Sequence, residues 1–139
     1  MAITGLADQL ARDEGVRRFP YRDSVGKITI GVGRNLDDVG VSQDEIDLMR
    51  DNDIKAATIA LEQTFPWTAG LDDVRKEALL NMTFNMGVGG LAGFKDFLNK
   101  MQAGDWNAAA GAMLDSKWAQ QVGSRAQRLS IQIESGERQ

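Results

Sequence analysis

The stretch Asp13-Glu14-Gly15-Val16-Arg17-Arg18-Phe19-Pro20-Tyr21-Arg22-Asp23-Ser24-Val25-Gly26-Lys27-Ile28-Thr29-Ile30-Gly31 decides how the rest of the chain reads. Glu14 ends an amphipathic run. Nine residues later Asp23 sits in a polar turn, and six after that Thr29 stands in the alternating pattern Ile28-Thr29-Ile30-Gly31-Val32-Gly33. Two carboxylates and a hydroxyl on a helix end and a hairpin suit glycoside hydrolysis, which needs an acid, a base and a positioned water.

Immediately upstream, the pattern predicts a helix from Gly5 to Glu14, with Thr4 as N-cap and Leu6, Ala7 and Leu10 as its apolar stripe. Gly15 is placed to stop it in the left-handed region. Glu14 then lies where the helix macrodipole is negative, which disfavours an anion and favours the protonated acid that a leaving oxygen needs. The plainer alternative is an exposed carboxylate at a frayed helix end. Downstream, Phe19–Arg22 and Lys27–Val32 read as two strands around the turn Asp23-Ser24-Val25-Gly26, with Gly26 at a position of positive φ. One face of the second strand is apolar, and the other carries Thr29, Gly31 and Gly33, which would let a ligand approach the backbone. Here too there is a plainer alternative: the glycines serve only twist, and Asp23 is a turn residue bonding its own backbone.

Absences narrow the chemistry. The 139 residues contain no cysteine and no histidine. Disulfides, thiol nucleophiles and Ser-His-Asp hydrolysis are excluded, and so are the commonest zinc ligands. Acid–base work is left to Asp, Glu, Lys or Tyr, and with Tyr21 the single tyrosine the carboxylates are the candidates. The net charge of −4 argues against nucleic acid as a partner. Charge is unevenly spread: Arg12 to Arg34 holds six bases and three acids, whereas Asp37 to Asp53 holds seven acids and one base. Such asymmetry is ordinary for a solvated surface, and basic groups beside a cleft could also meet a polyanionic substrate. The N-terminal residues lack a basic flank followed by an apolar core, and no apolar run is long enough to span a membrane. The chain is therefore expected to be made and kept in a cytoplasm until something else releases it.

The remainder reads as helix. Ser42 and Glu45 form a capping box that opens a helix of about 20 residues to Gln63, with Ile46, Met49, Ile54, Ala57 and Leu61 as its expected buried stripe. Phe65-Pro66-Trp67 ends it. Asp72 caps Asp73 to Met86, and Gly87-Val88-Gly89-Gly90 breaks that run. Phe94–Gln102, Asp105–Leu114, Lys117–Gln121 and Arg125–Glu134 follow, separated by Gly93, Gly104 and Gly123. Trp67, Trp106 and Trp118 are expected in the core. The size fits one domain, or two small lobes sharing a core.

Glu14, Asp23 and Thr29, inside Asp-Glu-Gly…Tyr-Arg-Asp…Thr-Ile-Gly-Val-Gly, resemble the phage-lysozyme family. The resemblance continues through Phe84-Asn85-Met86-Gly87, Leu91-Ala92-Gly93-Phe94, Gly104-Asp105-Trp106, Lys117-Trp118 and Ser124-Arg125-Ala126-Gln127-Arg128. It implies an α+β, mostly α, lysozyme-like fold across 1–139: a hairpin lobe at about 15–42, a connecting helix at about 43–63, and a helical lobe at about 64–139 that takes in helix 5–14. It also implies hydrolysis, with inversion, of the β-1,4 bond between N-acetylmuramic acid and N-acetylglucosamine in peptidoglycan. In that reaction Glu14 is the acid, and Asp23 with Thr29 holds the water, or Asp23 stabilises oxocarbenium-like charge. Leu36, Phe84, Asn85 and Arg125 would bind substrate, with no metal and no cofactor. The expected protein is a monomer that neither binds nucleic acid nor inserts in membrane, and it reaches the wall from the host bacterial cytoplasm after a separate protein permeabilises the membrane. Two contacts are expected: Arg125 with Glu14, and Arg34 with Asp53, because Arg34 stands where the T-even phage member has a histidine. The rivals are a lytic transglycosylase, which needs no water-activating Asp23, and a non-catalytic peptidoglycan-binding module of the same fold.

Overall fold

In the computed structural model, which describes residues 4–139, the first helix, α1, covers Thr4–Glu14. It stops at Gly15, whose φ of +81° only glycine adopts readily and whose amide donates to the Ala11 carbonyl at 2.9 Å. The expected cap at Thr4 lies outside the residues whose side chains are described. Leu6 and Leu10, the expected apolar stripe, are exposed.

Three antiparallel strands follow in the order β1-β2-β3: β1 at Arg17–Arg22, β2 at Ile28–Gly31 and β3 at Arg34–Asn35. Tyr21 pairs with Thr29 and Thr29 with Asn35, so the three side chains form a cross-strand row on one face. The register slips between Arg17 and Tyr21, where Pro20 is accommodated on an edge strand. The second strand does not run to Val32 as the alternation suggested. Gly31 and Gly33, at φ +69° and +67°, turn the chain back through Val32 into the two-residue β3. The glycines therefore make a tight reversal and do not extend the small-residue face of a strand.

Helix α2 spans Gln43–Thr64. The capping box at its start is reciprocal: the Glu45 amide donates to Ser42 Oγ at 3.2 Å, and the Ser42 amide to Glu45 Oε1 at 2.9 Å. Of the expected stripe only Leu61 is fully buried. Ile46, Met49 and Ile54 are exposed, and Leu48 and Ile59 place further apolar surface on the opposite side. Periodicity shows which side of a helix is apolar, but not whether anything covers it.

The chain divides into two compact units, Met1–Met49 and Arg50–Gln139. The second holds the main core. After the Pro66–Gly70 3₁₀ turn come α3 (Asp73–Ala92), α4 (Lys95–Ala103), α5 (Trp106–Leu114), α6 (Lys117–Val122) and α7 (Ser124–Ser135). Helix α3 is broken at Gly87 (φ 75°, ψ 161°), where the sequence placed its end, and then resumes. Side chains of Asp72, Asp105 and Ser116 cap α3, α5 and α6 by accepting from Arg75, Ala108 and Ala119 amides. Helix α5 packs between α4 and α7, and α3 and α6 also pack on α7. Leu79, Met82, Phe97, Met101, Met113 and Ile133 fill the centre. Trp118 is buried, and Trp67 and Trp106 pack on the core's margin. The Arg75 guanidinium lies 4.2 Å from the Trp106 ring centroid while donating to the Ile133 and Glu134 carbonyls, at 2.6 and 3.1 Å, near the end of α7.

Candidate functional site

In the first unit, the Asp23 turn is built by its own side chain. Asp23 Oδ1 accepts the Val25 amide at 3.0 Å and the Lys27 amide at 2.8 Å, while the Asp23 amide donates to the Lys27 carbonyl at 2.9 Å. Both side-chain bonds fall on Oδ1, which fixes the carboxylate and leaves Oδ2 as its other acceptor. Thr29, on the central strand, is 3% exposed, and its hydroxyl donates to the Lys27 carbonyl at 3.0 Å. Asp23 and Thr29 are thus tied to one peptide unit on each side of Lys27, a link that nothing in the residue types announced. The two readings of Asp23 are not exclusive, because the carboxylate does organise the turn.

Glu14, at the end of α1, lies against the turn that follows β2. A β-carbon on Gly33 would stand 3.0 Å from Glu14 Oε2 and 3.2 Å from its Cδ. Leu36 is half-buried, and its amide continues the sheet by donating to the Ile28 carbonyl at 2.8 Å.

Arg34, expected to meet Asp53, takes Glu45, an acid of its own unit, as a partner. Its Nη1 donates to Glu45 Oε1 at 2.8 Å and to the Gly40 carbonyl at 3.0 Å. The hairpin is joined to α2 by an acid in the helix's first turn, the same acid that completes the capping box. The guanidinium, assisted by the Ser42 bonds, lowers the Glu45 carboxyl to a pKa of about 2.

In the second unit, Phe84 and Arg125 line one pocket of about 380 Å³ with Ile54, Glu77, Leu80 and Asn81. Phe84 also borders an adjoining hollow beside Asp53, Ala56 and Ala57. Arg125 donates from Nε to Asn81 Oδ1 at 2.8 Å and from Nη2 to the Asn81 carbonyl at 3.1 Å. Asn81 is therefore a pocket residue that sequence reasoning passed over, and its position on α3 one turn before Phe84 and Asn85 was the available signal. Asn85 accepts the Trp118 indole N–H on Oδ1 at 2.7 Å, joining α3 to α6 and leaving its amide NH₂ as a donor. Among the described residues, no group of three or more His, Cys, Asp or Glu is placed to hold a metal ion, and no helix is long and apolar enough to cross a membrane.

The phage lysozyme family model matches residues 11–132, which takes in Glu14, the hairpin, the pocket and most of α7. The protein belongs to the phage lysozyme family. The chain is 31% identical to the pre-baseplate central spike protein Gp5 of Enterobacteria phage T4, over 94% of its own length but 28% of the spike protein's. It is 28% identical to each of two Dictyostelium discoideum proteins, "Probable T4-type lysozyme 1" and "Probable T4-type lysozyme 2", with 96% of both partners covered in each case. Lysozyme-like function is the class of activity that this membership supports.

Proposed function

We propose that the chain is a muramidase that hydrolyses the β-1,4 bond between N-acetylmuramic acid and N-acetylglucosamine in bacterial peptidoglycan, with inversion. One observation carries the reading: in a phage lysozyme-family chain, Asp23 is held by two backbone amides on one oxygen only. The Thr29 hydroxyl spends its proton on the Lys27 carbonyl, so towards a water it can only accept. A water held between Thr29 Oγ1 and Asp23 Oδ2 would give both protons to them and turn a lone pair outward as the nucleophile. Glu14 supplies the proton to the leaving oxygen. Inversion calls for roughly 6.5–9.5 Å between the two carboxyl groups, room for that water.

Phe84 offers an apolar face to a sugar ring, Asn85 a free amide donor, Arg125 a cation, and Leu36 an apolar contact. The protein works as a monomer in this reading, and reaches the wall from the host cytoplasm once another protein has opened the membrane. The test is clearance of outer-membrane-permeabilised cells with end-group analysis of the products. New reducing ends of inverted configuration are expected, and Glu14→Gln should lose about 10²–10⁴-fold in rate while keeping its fold. An anhydro-sugar product would identify a transglycosylase instead, and binding without turnover a wall-binding module.

A further inference from the structure

We infer that Gly33 is a positioning residue for the general acid: the missing side chain at Gly33 is the space into which the Glu14 carboxyl fits. The inference rests on the reading of Glu14 as the acid. Within the first unit, a β-carbon built on Gly33 meets three atoms of one side chain, Oε2, Cδ and Cγ of Glu14, at 3.0, 3.2 and 3.3 Å. At these separations the neighbour must give way by a few tenths of an ångström, and the neighbour here is the reacting group itself. Gly31 makes the comparison sharp. Its φ is +69° against +67° at Gly33, so a side chain strains the backbone equally at both positions, yet a β-carbon at Gly31 meets nothing within 4 Å. Of the two glycines in this turn, one answers only a backbone need, and the other also leaves room for the acid.

The geometry makes the turn a gauge for the acid. Helix α1 delivers Glu14 at its last residue, where the side chain has three rotatable bonds and no neighbour in the next helical turn to restrain it. Contact with the flat backbone at Gly33 limits those rotations, so the hairpin that carries Thr29 also limits where the proton donor can stand. Catalytic groups must be held to about 0.5 Å of their working position, and a shift of a few tenths uses up much of that tolerance, so its effect is read in rate rather than in folding.

The experiment measures kcat and KM on purified peptidoglycan for the wild type, Gly33→Ala, Gly31→Ala, Glu14→Asp and the double variant Gly33→Ala/Glu14→Asp, with thermal melts of each. Gly33→Ala and Gly31→Ala should melt alike. Gly33→Ala should lose about tenfold or more in kcat at similar KM, well beyond Gly31→Ala. The shorter acid should be coupled to the extra methyl: Glu14→Asp should cost less on the Gly33→Ala background than on the wild type. Equal kcat losses for the two glycine variants, or strictly multiplicative effects of Gly33→Ala and Glu14→Asp, would overturn the inference. Should Gly33→Ala not fold, the wild type decides by NMR: a nuclear Overhauser effect between the Gly33 Hα and Glu14 Hγ protons is expected, and its absence overturns the placement. A wild type that folds, shows that effect and releases no product would instead refute the muramidase reading and leave the geometry standing.

Discussion

Arg34 and Glu45 are joined by a 2.8 Å hydrogen-bonded ion pair that fastens the end of the hairpin to the first turn of α2. Glu45 is also the reciprocal member of the capping box, so one carboxylate oxygen serves the guanidinium and the Ser42 amide together. Losing that acid removes a cap and a tertiary contact in one step.

This sets a pH dependence. The Glu45 carboxyl is depressed from an ordinary value of 4.5 to about 2 in the folded protein. Its stabilising contribution is therefore complete above about pH 4.5 and is lost as pH falls from there through about 2. Thermal melts between pH 6 and 2 should show a fall in Tm for the wild type that is shallower for Glu45→Ala. Parallel curves would show that solvent screening leaves the pair without effect.

The turn at Asp23 separates structure from chemistry. Asp23→Asn keeps an oxygen for the Val25 and Lys27 amides, so the hairpin should persist while turnover falls by about 10²-fold or more. Asp23→Ala should lose turnover and also about 1–3 kcal/mol of stability, because two amides lose their acceptor. Equal melts for the Asn and Ala variants would contradict this.

Thr29→Ser should retain most activity, whereas Thr29→Val should fall towards the Asp23→Asn level because the acceptor oxygen is gone. A fully active Thr29→Val would show that the hydroxyl serves only its bond to the Lys27 carbonyl and the β-propensity of its position.

Arg125 is fixed by Asn81 through two bonds that tie α7 to α3. Arg125→Ala should cost about 1–3 kcal/mol in a denaturant melt. Asn81→Ala should reproduce most of that loss, and the double variant should fall short of the sum. Additive losses would mean that the two side chains do not act together.

Asn85→Leu strips the Trp118 indole of its acceptor and should cost about 1–3 kcal/mol. Asn85→Gln, one methylene longer, tests whether the bond tolerates displacement. The shift of Trp118 emission on substitution is the local readout.

What could be read from the residues was what is decided within one helical turn or one tight reversal. Gly15, Gly104, Pro66, Asp72 and the Ser42–Glu45 box end or begin elements where their chemistry dictates, because each acts on amides and carbonyls three or four residues away. The third strand was missed since two residues, Arg34 and Asn35, are too few to show alternation. Partner choice was the weaker part. An arginine at the hairpin's end has several acids within reach of a helix, and register alone favours none of them, so Glu45 could not be distinguished from Asp53. Within the second unit, Arg125 binds an amide on α3 that no charge pattern marks. The row Tyr21–Thr29–Asn35 needed a register slip at Arg17–Tyr21 that only pairing reveals.

The Arg75 guanidinium rests on the face of the Trp106 ring and holds the Ile133 and Glu134 carbonyls at the same time. The environment of one indole is thereby coupled to the integrity of the last turn of α7, whereas Trp118 is coupled to Asn85 and the Trp67 ring lies tilted against Phe65. Each of the three tryptophans reports on a different neighbourhood. With Trp67 and Trp118 replaced by phenylalanine, emission from Trp106 becomes an intrinsic optical probe of fraying at the end of α7, able to register the loosening of one turn before the molecule as a whole lets go.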